Sequence, residues 1–167
     1  IYYNSMSTLK PGRARYGFLL TEGGIIFDDG VLFRLSENHF SVSCSSSHVD
    51  QVTNALHLWR QDQFDPSRVF IQDATPQWAT LTISGPRARS LMTKLDLGIP
   101  LDDEAMPHLS IIAKDNLRIA RVSFTGDCSY EISVPSRQAG RLWDHIRGAG
   151  REFNLSLQGV EALAILR

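Results

Sequence analysis

The sequence predicts an α+β fold of mainly antiparallel sheets with packed helices. Three observations carry that expectation. Short strand-like runs follow one another through hairpin-length turns, helical periodicities interrupt these runs without strict strand-helix alternation, and the composition is that of an ordinary globular chain, 43% apolar and 21% charged over 167 residues. A chain of this size buries roughly 68–70% of its unfolded surface, enough for one core, so a single domain over residues 1–167 is expected.

The elements follow in order. Tyr16 to Leu20 reads as a strand, and Thr21-Glu22-Gly23-Gly24 is the turn before Ile25-Ile26-Phe27. Asp28-Asp29-Gly30 interrupts, and strands resume at Val31 to Leu35 and Phe40 to Cys44, the second alternating large and small residues. Ser47 and Asp50 have capping-box spacing ahead of Val49, Val52, Leu56 and Trp59, which predicts a helix over His48–Gln63. After Asp65-Pro66-Ser67, strands are expected at Val69–Gln72 and Trp78–Ser84. Gly85-Pro86 opens a helix over Arg87–Leu95, with Pro at the first helical position. Asp96 to Pro107 lacks periodicity and reads as a loop, Asp102-Asp103-Glu104 being solvated within it. A second hairpin joins Leu109–Ala113 to Leu117–Thr125, a strand runs from Ser129 to Val134 and stops at Pro135, and a helix spans Ser136–Arg147. Val160, Leu163 and Leu166 share a helical face at the end of the sequence. Strands, helix, strands, helix suggests two halves, without a sequence repeat.

Several function classes are excluded. Seventeen basic and 18 acidic residues give a formal charge of −1, against the basic excess that nucleic-acid binding needs. No apolar run is long enough to span a membrane, and the first ten residues lack the basic start and apolar stretch of a signal peptide, so the cytoplasm is the expected location. Cys44 and Cys128 form no CxxC pair and read as free thiols. The five histidines lack metal-ligand spacing, so no metal site is expected, and no GxGxxG, GxxxxGK[ST] or GxSxG motif occurs. An apolar start at Ile1-Tyr2-Tyr3 and a helical pattern running to Arg167 suggest a slice of a larger chain.

Two segments carry candidate chemistry. Asp28-Asp29-Gly30 is good turn chemistry, yet it also sets two carboxylates in an apolar, strand-forming stretch. Burying one carboxylate beside another raises a pKa and makes a proton carrier. Glu131, between Tyr130 and Ile132, faces solvent by simple alternation or, covered, holds a planar ligand edge with two parallel N–H donors.

Gly12-Arg13-Ala14-Arg15-Tyr16-Gly17 followed by Gly24 to Val31, the joint Leu81 to Ala88, Phe124-Thr125-Gly126 with Tyr130-Glu131-Ile132, and Glu161-Ala162-Leu163 ending in Leu166-Arg167 occur in sequence. In these motifs, from about Lys10 to Arg167, the chain resembles the folate-binding domain of the aminomethyltransferase (glycine-cleavage T-protein) family. Within it, the Gly-Arg-Ala-Arg-Tyr-Gly and Phe-Asp-Asp-Gly-Val wordings look most like the α subunit of heterotetrameric sarcosine oxidase. The resemblance implies an aminomethyltransferase-type folate-binding fold and an enzyme that oxidises sarcosine and passes the one-carbon unit to tetrahydrofolate, giving glycine, 5,10-methylenetetrahydrofolate and hydrogen peroxide. It implies tetrahydrofolate here, FAD, FMN and NAD outside this chain or at subunit interfaces, and the other oxidase subunits as partners. The fragment alone is not expected to oxidise the amine. A T-protein-like aminomethyltransferase and a non-catalytic folate-fold scaffold are the other readings.

By the same resemblance Asp29 is the catalytic carboxylate near the reactive folate nitrogens, with Asp28 as a neighbour that raises its pKa. Tyr16, Val31 and Phe124 match pocket-wall positions, Phe124 standing where T-proteins usually have Tyr. Glu131 matches the carboxylate on the pterin edge, Tyr130 belongs to the same cofactor-binding landmark, and Arg167 matches a pocket arginine.

Overall fold

The computed structural model describes residues 1–166. Among them are seven strands and four α-helices in an α+β arrangement, and the chain divides into two compact units, Ile1–Pro76 and Gln77–Arg167.

Unit 1 is an antiparallel meander of β1 (Arg13–Leu20), β2 (Ile26–Ser36) and β3 (His39–Val42), followed by α1 (Val49–Gln63). The expected break at Asp28-Asp29-Gly30 is not a turn. β2 runs straight through it, with Asp28 opposite Leu19, Asp29 opposite Phe18 and Gly30 opposite Gly17. The reason for glycine lies on the other neighbour: a Cβ at Gly30 would fall 2.0 Å from the Ser43 carbonyl oxygen, so only a residue without one lets the chain after β3 approach. α1 matches its expected span, but no side chain caps it, and Ser46–His48 forms a 3-10 turn where a capping box was expected.

The expected strand Val69–Gln72 does not form. Asp65 accepts a bond from the Ser67 N–H and Asp73 from the Thr75 N–H, local turns that compete with extended pairing at both ends of the run. Phe70, 85% exposed, buries nothing there.

Unit 2 pairs β5 (Ser110–Lys114), β6 (Leu117–Arg121), β7 (Ser129–Pro135) and β4 (Trp78–Ser84) in that spatial order, all antiparallel. α2 (Ala88–Leu95) and α3 (Ala139–Gly150) cover one face; α4 (Val160–Leu166) ends the described chain. Alternation sends Ile83, Ile119, Tyr130, Ile132 and Val134 into a core shared with Leu91, Met92, Leu142 and Ile146 from the helices. Pro86 lies in the turn before α2, whose first residue is Ala88. Gly85 supplies the φ of +119° that this turn needs, and its N–H bonds the Cys128 carbonyl at 2.9 Å.

The 96–109 loop is irregular as expected, but Asp103 is not merely solvated. It accepts bonds from both Arg89 of α2 and Arg121 of β6, and Arg121 also donates to the Met106 carbonyl at 2.8 Å. Met106 is fully buried, so the loop is tied by charge at one point and by packing at another. Cys44 and Cys128 are free thiols. Among the described residues no helix is long and apolar enough to cross a membrane, and no three His, Cys, Asp or Glu side chains gather as a metal site would require.

Candidate functional site

In unit 1 the β1–β2 pairing sets Tyr16 directly opposite Val31 and diagonal to Asp29, so all three lie on one sheet face. The Tyr16 hydroxyl donates to Asp29 Oδ2. Tyr16 is exposed and Asp29 half-buried, which leaves a phenol and a carboxylate linked at the surface, within reach of a ligand.

Asp28 takes the opposite direction because adjacent strand residues point to opposite faces. It is 4% exposed, and its two oxygens accept from the Ser45 N–H at 3.0 Å and from His48 Nδ1 at 3.2 Å. Burial pushes this carboxyl up, but the bonds from Ser45 and His48 outweigh burial and hold it below the ordinary carboxylate range. His48 in turn stacks flat on Phe27, with 6.3 Å between ring centroids. The expectation that the two carboxylates share one site is therefore corrected: Asp28 locks β2 to the start of α1, and Asp29 faces away from it. A hollow of about 620 Å³ in unit 1, lined by Leu20, Phe27, Ala55, Leu58 and Trp59, contains none of the expected site residues.

In unit 2 the pairing places Glu131 of β7 between Thr82 of β4 and Ala120 of β6 on the face away from the helices. Glu131 is half-buried, and no hydrogen bond or ion pair to it is found among the described residues. Burial pushes its carboxyl above the ordinary Glu value. Among the described residues this acceptor-only group lacks the donors that buried carboxylates ordinarily have.

Tyr130, next along the chain, points the other way: it is fully buried in the core, and its hydroxyl accepts from Arg89 Nε at 3.1 Å. Phe124 lies in the loop after β6 and is half exposed, beside a turn in which the Gly126 N–H donates to Ser123 Oγ at 2.9 Å. Arg167 lies outside the described residues.

Sequence reading overlooked one further pair on the Glu131 face. The Arg118 guanidinium of β6 lies 3.8 Å from the ring centroid of Trp78 of β4. The detectable signal was parity, since 118 and 78 share the alternation phase of the residues paired with Glu131 and Ser133, but the cross-strand register is not written in either strand alone.

The GCVT N-terminal domain model matches residues 1–167 of the chain. The sarcosine oxidase subunit alpha of Corynebacterium sp. (strain P-1) is 36% identical over the whole chain, and that of Rhizobium meliloti (strain 1021) is 33% identical, also over the whole chain. The chain spans 18% of the length of the former and 17% of the latter. The aminomethyltransferase of Thermoanaerobacter sp. (strain X514) is 28% identical over 98% of the chain and 44% of its own length. The crystal structure of the glycine cleavage system aminomethyltransferase T from Bartonella henselae superposes with a TM-score of 0.80, at 26% identity, over 96% of this chain and 41% of that one.

Proposed function

The chain belongs to the GCVT N-terminal domain family, and from that premise we propose that it is the folate-binding part of a sarcosine oxidase α subunit. The whole enzyme would oxidise sarcosine with dioxygen as the two-electron acceptor and hand the one-carbon unit to tetrahydrofolate, releasing glycine, 5,10-methylenetetrahydrofolate and hydrogen peroxide. Identity favours this over a free-standing aminomethyltransferase: 36% against 28%. FAD, FMN and NAD, and the partner subunits, belong in this reading to the rest of the enzyme, which works in the cytoplasm.

The observation that carries the proposal is the half-buried carboxylate of Glu131, which has no hydrogen-bond or ion-pair partner among the described residues, on the sheet face away from α2 and α3. A planar heterocycle edge with two parallel N–H groups supplies the donors this group lacks, as an arginine fork does for other carboxylates. Tyr130 acts as a positioning residue, fixing β7 through Arg89 so that Glu131 keeps its direction. Tyr16 orients Asp29, and Val31 and Phe124 give apolar walls. Bound tetrahydrofolate supplies the amines that accept the one-carbon unit. Asp29 stabilises positive charge on the transferred unit and takes or returns the amine proton. Placing the reactants side by side contributes further through proximity. Arg167 is the remaining pocket residue of this reading.

The test is tetrahydrofolate titration of the wild type against Glu131→Gln, which keeps the shape but replaces one acceptor with a donor. Loss of a charge-assisted pair, about 1.5–3 kcal/mol, corresponds to roughly ten- to a hundredfold weaker binding. Unchanged affinity removes Glu131 from the site and the proposal with it.

A further inference from the structure

The Glu131 face holds a second group without a polar partner among the described residues. Arg118 is half-buried, and no hydrogen bond or ion pair to its guanidinium is found among the described residues. Its one contact of note is the Trp78 ring, and the two residues stand on strands separated by β7. The side chain therefore crosses β7, from its place opposite Ser133 toward the row where Trp78 pairs with Pro135. The hydroxyls on the way are already engaged, Thr80 with Ser133 at 2.8 Å. Burial lowers the guanidinium pKa from its ordinary value.

Stacking occupies one face of a guanidinium and leaves its edge, a fork of N–H donors, open. That edge matches a carboxylate or phosphate. Arg118 and Glu131 do not satisfy each other, because the stack on Trp78 draws the guanidinium away along the strand. Two to four residues of β7 separate the Glu131 row from the rows the guanidinium spans, roughly 7–13 Å at about 3.3 Å per residue. One sheet face thus presents an acceptor at one point and a fixed donor fork at another.

We propose that Arg118, stacked on Trp78, is an anion subsite of the same ligand site, binding the carboxylate at the far end of a ligand whose planar N–H edge rests on Glu131. The inference rests on the folate reading: tetrahydrofolate carries N–H donors on its pterin end and glutamyl carboxylates on the other. Trp78 is a positioning residue, and Arg118 sets specificity for ligands that bear the anionic tail.

The experiment titrates the full chain with tetrahydrofolate and with 6-methyltetrahydropterin, which has the ring and no tail. Arg118→Gln is expected to weaken tetrahydrofolate about tenfold and to leave the tetrahydropterin within twofold, whereas Glu131→Gln weakens both. Arg118→Lys keeps the charge but not the fork, and recovers part of the loss. A measurement on the wild type alone guards against a misfolded variant: rising salt should weaken tetrahydrofolate more than the tetrahydropterin. Equal loss for both ligands in Arg118→Gln, no loss for either, or equal salt dependence overturns the subsite. If Glu131→Gln still weakens both ligands in that case, the folate reading survives; a wild type that binds neither ligand ends both.

Discussion

At the scale of single residues, neighbouring carboxylates have opposite duties because strand alternation turns one inward and one outward. Asp28 satisfies the Ser45 N–H and His48, so Asp28→Ala strands both donors and should cost about 1–3 kcal/mol in urea denaturation. Stability unchanged within 0.5 kcal/mol, on the order of a surface substitution, would show that the pair contributes nothing. Tyr16→Phe removes the donor to Asp29 and nothing of the ring. Loss of one such bond, roughly 0.5–1.5 kcal/mol, should lower the one-carbon transfer rate of the proposed whole enzyme about two- to tenfold with little change in melting temperature. A rate equal to wild type would detach Tyr16 from the chemistry. Asp29 and Glu131 were visible as acidic residues inside apolar runs. Which neighbour each one meets was not visible, since partners such as His48 for Asp28 come from 20 positions away.

At the scale of elements, the clearest sequence signals were those generated within a few residues. The 3.6-residue period marks α1, Gly85-Pro86 marks the start of α2, and strand-like runs bounded by Gly85 and Pro135 mark β4 and β7. Asp28-Asp29-Gly30 carried a turn signal that tertiary context overrode, because β1 pairs with all three residues and the chain beyond β3 presses against Gly30. Val69–Gln72 had strand composition but found no partner strand, and composition cannot report that. Two glycines test how much close approach matters. A methyl at Gly30 meets the Ser43 backbone oxygen at 2.0 Å, which cannot rotate aside, whereas one at Gly148 in α3 meets nothing within 4 Å. Gly30→Ala should therefore cost about 3 kcal/mol or more, whereas Gly148→Ala should be neutral or stabilise by up to about 1 kcal/mol through the better helix propensity of Ala. Equal melting temperatures for the two variants would refute the account.

At the scale of the whole molecule, stability against pH has two opposed limbs. Asp28 and Asp103 lie below their ordinary values when folded, Asp103 at about 2 beside Arg89 and Arg121. The folded chain binds fewer protons there, so their contribution is complete above the unfolded carboxyl value and is lost as pH falls through the folded one. Glu131 is the reverse: with its folded value raised, stability declines as pH climbs from the unfolded Glu value through the folded one. Glu131→Gln should flatten that upper limb and raise the melting temperature near neutrality, even though the proposed function has it weaken tetrahydrofolate binding. Denaturation from about pH 3 to 8, a span that begins below the ordinary Glu value and ends well above it, checks this, and an unaltered upper limb would contradict it.

The alternation at Asp28 and Asp29 also governs how the chain can change in length. Removing or adding one residue in β2 would exchange the two carboxylates, burying the one that serves the surface and exposing the one that clamps His48. Substitution within 28–31 is graded in its effect, but a shift in count there is all or nothing. Insertions and deletions in descendants of this sequence are thus confined to segments without a ladder, such as 21–25 and 64–74, where an extra residue alters no pairing downstream.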